Sequence, residues 1–105
     1  MPKSGTSVRS RIDVELDEPK QYKVTIFNDD FTTMDFVVKV LCEVFDKDEI
    51  EAERLMIAVH KGGKAVIGYY TLDIAATKVD IATEMARAEG FPLKITYSPA
   101  EDIPV

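Results

Sequence analysis

Apolar and polar residues alternate along the chain in two rhythms, and the rhythms divide it into six elements. Residues 21–27 alternate with a period of two: Tyr22, Val24 and Ile26 against Lys23 and Thr25, with Phe27 at the end. That is the pattern of a half-buried strand. Asn28-Asp29-Asp30 breaks it, and Thr32 or Thr33 is placed to cap a helix. From Met34 to Phe45 the apolar residues fall at 34, 37, 38, 41, 44 and 45. This spacing predicts a helix with one buried face, despite valines that favour strands.

Asp48-x-x-Glu51 opens a second helix, which runs through Leu55, Met56 and Val59 with its acids early and stops at Gly62-Gly63. Lys64 to Tyr70 reads as a strand. Thr71 is the cap expected for a third helix, with Leu72, Ala75, Val79, Ala82 and Ala86 along its buried face and Gly90 as its stop. Pro92 opens a last strand, Leu93 to Tyr97, which Pro99 closes. The order β-α-α-β-α-β predicts an α/β (α+β) two-layer sandwich, a three-stranded sheet packed by one face on three helices.

Domain boundaries follow from the same pattern. Residues 1–19 hold few large apolar side chains and are expected to form a flexible extension; residues 20–98 form the domain; residues 99–105 form a loose tail. Within the extension Arg9 and Arg11 precede Asp13, Glu15, Asp17 and Glu18, and Val8, Ile12, Val14 and Leu16 could support a transient strand.

Charge and cysteine content narrow the chemistry. Thirteen basic and nineteen acidic residues leave a formal charge of −6, against a nucleic-acid partner. The single cysteine, Cys42, excludes a disulfide within the chain and a cysteine-built zinc site, and its place mid-helix suits an inert thiol. No apolar run is long enough for a membrane span, and the N-terminus has no long apolar stretch, so a cytoplasmic protein is expected.

Three groups of residues could carry function. Asn28-Asp29-Asp30, on a strand-to-helix turn, is either turn chemistry or a polar rim for a cation. No further carboxylate or histidine lies at ligand spacing on that element, so no metal is expected. His60, the one histidine, reads as a helix-end residue favoured by the dipole, and with no serine or cysteine placed near it by sequence a catalytic triad has no support. Met34 and Met56 are core filler or the walls of a pocket. The acidic start of the second helix, Asp46 to Glu53, reads as a solvated face.

Residues 28–37, NDDFTTMDFV, resemble the NDD-aromatic-T-x-M-E/D-F-V segment of the bacterial ClpS adaptors. Met56 to Ala65 resembles their M-x-x-V-H-x-x-G-x-A segment, Thr77-Lys78-Val79 their T-K-V, and Pro92-Leu93 the P-L of their last strand. The resemblance covers about Tyr22 to Tyr97. It implies the fold of the ribosomal stalk protein's C-terminal domain. It also implies an adaptor, not an enzyme, that binds N-degron substrates by a free N-terminal Leu, Phe, Tyr or Trp. The adaptor hands them to a Clp AAA+ unfoldase for degradation by ClpP, with no cofactor.

Carried over, Asn28, Asp29 and His60 would hold the α-ammonium, and Asp30 and Thr32 would order the rim. Met34 would guard the pocket mouth. Val37, Met56, Val59 and Leu93 would line the pocket, with Ile26 a weaker candidate. Asp73 and Lys78 would fall on the face that docks the unfoldase's N-terminal domain. Asp73 stands where the family commonly has Glu, and Thr33 where many members have Pro. The protein is expected to act as a monomer. Two rival readings are a stalk-type interaction module that binds factors through a helix face, and a small hydrolase or metal enzyme using Asp29, Asp30 and His60. The latter lacks a nucleophile or third ligand.

Overall fold

The computed structural model describes residues 20–100. Residues 1–19, expected as a flexible arm, and residues 101–105 lie outside the described residues; of the tail expected over 99–105, Pro99 pairs with Tyr22 as the last residue of the third strand and the Ala100 N–H donates to the Gln21 carbonyl at 3.0 Å. Six elements follow in the expected order: β1 (Tyr22–Phe27), α1 (Met34–Glu43), α2 (Glu49–Gly62), β2 (Lys64–Tyr70), α3 (Leu72–Ala88) and β3 (Lys94–Pro99). The sheet order is β2-β1-β3, antiparallel throughout, with β1 in the centre. Ile26 stands opposite Ala65 on one side and Ile95 on the other. The β1–β2 register slips between Val24 and Thr25. The slip leaves Ile67 without an opposite number and tucks it into the core, 4% exposed.

Period two decides which side of the sheet is covered. Val24, Ile26 and Ile95 point to the helices and are buried. Helix α3 crosses all three strands, α2 packs on β2, and α1 lies chiefly on α2. One core joins them, with Val37, Val40 and Leu41 of α1, Leu55 and Val59 of α2, and Ala75, Val79, Ala82 and Ala86 of α3. The small alanines of α3 allow the helix to lie close to the strands. Among the described residues no element covers the other sheet face. By register it carries Lys64, Val66 and Tyr69 of β2, Lys23, Thr25 and Phe27 of β1, and Lys94, Thr96 and Ser98 of β3.

Several local expectations need correction. The capping threonine of α1 is Thr33, whose hydroxyl accepts from the Phe36 N–H at 3.1 Å, and not Thr32. Phe45 is buried but lies past the end of α1, in the turn that leads to Asp46. Thr71 occupies the cap position of α3 without a side-chain hydrogen bond, and Leu72, expected on the buried stripe, is 45% exposed while Ala75 in the same turn is buried. Leu93 precedes β3 and is 1% exposed in the core. Asp48 caps α2 as expected, accepting from the Glu51 N–H at 2.8 Å. Cys42 is a free thiol, partly buried against the core.

Candidate functional site

The corner after β1 is fastened to the end of α2. The Asn28 N–H donates to the Gly63 carbonyl at 2.9 Å. Gly63 has φ 93, a left-handed conformation that glycine adopts without strain, and its own N–H donates to Val59 at 2.8 Å. This brings the residues before the corner and His60, in the last turn of α2, to the same end of the molecule.

Asp29 builds the turn itself. Its Oδ1 accepts from the Phe31 N–H at 2.8 Å and the Thr32 N–H at 2.7 Å, and its Oδ2 accepts from the Thr32 hydroxyl at 2.7 Å. A carboxylate offers about four lone-pair positions, and three are taken. Burial by itself would raise the Asp29 carboxyl. The hydrogen bonds from Thr32 and Phe31, together with the positive charge of Arg87, outweigh it and hold the carboxyl below its ordinary value. Arg87 is itself fixed, donating to the Phe91 and Leu93 carbonyls at 2.8 and 3.1 Å. Asp30, the next residue, is exposed and makes none of these bonds.

Around this corner lies a cavity of about 380 Å³, lined by residues 28–34 with Val37, Met56, Val59 and His60. Nine of the ten expected substrate-binding residues meet there: Asn28, Asp29, Asp30, Thr32, Met34, Val37, Met56, Val59 and His60. Leu93 and Ile26 are not on the wall; both are buried in the core. The polar members Asn28, Asp30 and His60 are exposed, Val37 and Val59 are buried, and Met34 is 46% exposed. The site therefore combines hydrogen-bond acceptors with an apolar wall. Phe31 and Thr33 also line it and are absent from the expected set. The signal for Phe31 was its place inside the 28–37 segment.

A larger cavity, about 580 Å³, lies apart from this chemistry, between the end of α1 and the outer side of α3. Asp73 and Lys78 both line it, with Ile74, Thr77, Ile81 and Met85. These four form a second stripe at helical spacing, off the buried alanine face, and that spacing was open to detection in the sequence. Asp73 is exposed, but Lys78 is committed inward. Its Nζ donates to the Val44 carbonyl at 2.6 Å and meets Asp46 Oδ2 at 3.2 Å, 6.0 Å from the ring centres of Phe45 and Tyr70. It thus satisfies a carbonyl left over at the end of α1. Asp46 adopts φ 59, a conformation that aspartate tolerates better than most residues. Among the described residues no group of three or more His, Cys, Asp or Glu is placed to hold a metal, and no helix is long and apolar enough to cross a membrane.

The family model for the ATP-dependent Clp protease adaptor protein ClpS matches residues 17–96. An ATP-dependent Clp protease adapter protein ClpS from Helicobacter hepaticus is 46% identical over 90 residues, covering 86% of this chain and 91% of that protein. One from Acetivibrio thermocellus is 46% identical over 94 residues, covering 90% and 95%. The solved structure of Agrobacterium tumefaciens ClpS2 bound to L-phenylalaninamide is similar, with a TM-score of 0.75 and 43% identity, over 78% of this chain and 99% of that one.

Proposed function

The chain belongs to the ClpS family of ATP-dependent Clp protease adaptors, and from that premise we propose that it binds the destabilising N-terminal residue of a substrate and delivers the substrate to a Clp unfoldase. The observation that carries this reading is the single cavity that joins an acceptor-lined rim to an apolar wall. An N-terminal ammonium presents three donors and is mostly charged near neutral pH. Asn28, Asp30 and His60 supply an amide oxygen, a carboxylate and an imidazole nitrogen to receive them. The hydrogen bonds already on Asp29 support giving the direct contact to Asp30 and the ordering role to Asp29 and Thr32, an exchange of the two aspartates relative to the sequence expectation.

Charge-assisted hydrogen bonds contribute roughly 1.5–3 kcal/mol each, and burying a Leu or Phe side chain contributes about 1.5–3 kcal/mol. After the cost of association, micromolar affinity is within reach. Val37, Met56 and Val59 form the wall, Met34 guards the mouth, and Leu93 supports it from the core. A blocked or internal residue lacks the ammonium and strands the acceptors. Titration with a Phe-initiated peptide and its acetylated twin tests the reading: the first should bind and the second should not. Equal binding of both would refute it.

The finer assignments are part of the same proposal. Residues 20–98 act as the adaptor domain and residues 1–19 as the delivery arm. The groove beside Asp73 and Lys78 receives the unfoldase's N-terminal domain. The protein works as a monomer in the cytoplasm and catalyses nothing itself. The stalk-type reading has no comparable support, because a helix-face module has no need of the acceptor rim.

A further inference from the structure

Phe31 projects from the rim of the site with 74% of its surface exposed. Only one other large apolar side chain among the described residues, Ile50, is more than half exposed. The remaining phenylalanines all have partners: Phe36 with Phe91, Phe45 with Tyr70, and Phe27 under the Lys94 ammonium. Among the described residues Phe31 has no ring or cation partner. Its backbone is nevertheless held, because its N–H and that of Thr32 both donate to Asp29. The fixed backbone thus holds an unpartnered aromatic ring on the wall of the cavity, where its face is available to an occupant.

We propose that Phe31 is the shelf for the second residue of the bound polypeptide and makes the site select that residue as well as the first. This rests on the reading of the cavity given above. With the ammonium at Asn28, Asp30 and His60 and the first side chain against Val37, Met56 and Val59, the chain must leave past the exposed rim, where Phe31 and Met34 stand. The occupant is therefore an apolar or aromatic second side chain, which covers ring surface that is otherwise wet. A second-position glycine leaves it uncovered. The first side chain has no part in this contact, so the preference adds to the primary specificity without altering it.

The test uses L-phenylalaninamide and three peptides beginning Phe-Trp, Phe-Leu and Phe-Gly, titrated calorimetrically into the full chain and into its Phe31→Ala variant. The parent should bind Phe-Trp and Phe-Leu more tightly than Phe-Gly, by roughly three- to ten-fold. The variant should bind all three peptides alike, and its melting curve should match that of the parent, which shows that the variant is folded. A parent indifferent to the second residue, or a preference that survives in the variant, overturns the shelf. A variant that loses the amide overturns it too, since Phe31 would then act on the first subsite. A parent that fails to bind the amide refutes the cavity reading, and the shelf falls with it.

Discussion

Replacing Asp29 in two ways separates a residue that builds the site from one that touches the guest. In Asp29→Ala, three hydrogen bonds disappear from a four-residue corner. Bonds to a charged acceptor contribute roughly 1.5–3 kcal/mol each when sheltered. Asp29 is only part-buried and Phe31 is exposed, so water replaces much of this. The expected loss is about 1–2 kcal/mol, or roughly 5–10 °C in Tm for a domain of this size. Binding should suffer as well, by about ten-fold or more, because the rim must then be ordered by the guest.

In Asp29→Asn the remaining carbonyl oxygen can keep both backbone amides, and the Thr32 hydroxyl can turn to accept from the new amide. Stability should then fall by about 0.5 kcal/mol and affinity by less than about three-fold. Urea melts and titration of a Phe-initiated peptide read both quantities. The pH dependence has a fixed sign. Folding lowers the Asp29 pKa, so its contribution is complete above the ordinary carboxylate range and is lost only as pH falls through the lowered value, below about 4. A well-folded Asp29→Asn protein that binds as poorly as the alanine variant would mean that the Asp29 charge meets the ammonium directly, and the argument would be wrong.

Other substitutions address the neighbouring parts. His60→Ala should leave the melting curve in place, since the side chain is exposed, and weaken Phe-peptide binding by about ten-fold; unchanged affinity removes it from the rim. Met34→Ala should admit Ile-initiated peptides that the parent rejects, because a smaller residue at the mouth relieves crowding at a branched Cβ; continued rejection ends the gatekeeper role. Lys78→Met should lower stability by about 1–2 kcal/mol through the lost bond to Val44, whereas Asp73→Ala should not; equal Tm values would show that the clamp contributes nothing. Deleting residues 1–18 should leave peptide affinity intact while abolishing accelerated degradation of a Phe-initiated substrate; full delivery by the truncated form would show the extension to be dispensable.

The sequence made the elements legible because each carries its own period. Val24 and Ile26 at period two, and the alanine stripe of α3 at helical spacing, are properties of single segments. Choices between adjacent, chemically equal residues were not legible. Thr32 and Thr33 both suit a cap, and only the path of the corner gives the cap to Thr33 and turns the Thr32 hydroxyl to Asp29. Asp29 and Asp30 differ in the same way. Leu72 fits the apolar stripe by spacing, yet it is exposed while Ala75, three residues on, is buried. The inward commitment of Lys78 depends on a carbonyl 34 residues away, which no local pattern can announce.

The hydrogen bond from Asn28 to Gly63 joins two segments that lie 35 positions apart in the chain, and it ties Asn28 to the helix end that carries His60. Its consequence is temporal. If the last turn of α2 frays, His60 moves away from Asn28 while the β1–β2 ladder remains paired, so the cavity can lose its grip in a local opening far smaller than unfolding. On the proposed reading, a guest held by both residues would bridge that joint and oppose the fraying. The lifetime of the complex is then coupled to the opening rate of one helix terminus, and the Asn28 amide, slowed in hydrogen exchange when the cavity is filled, reports it.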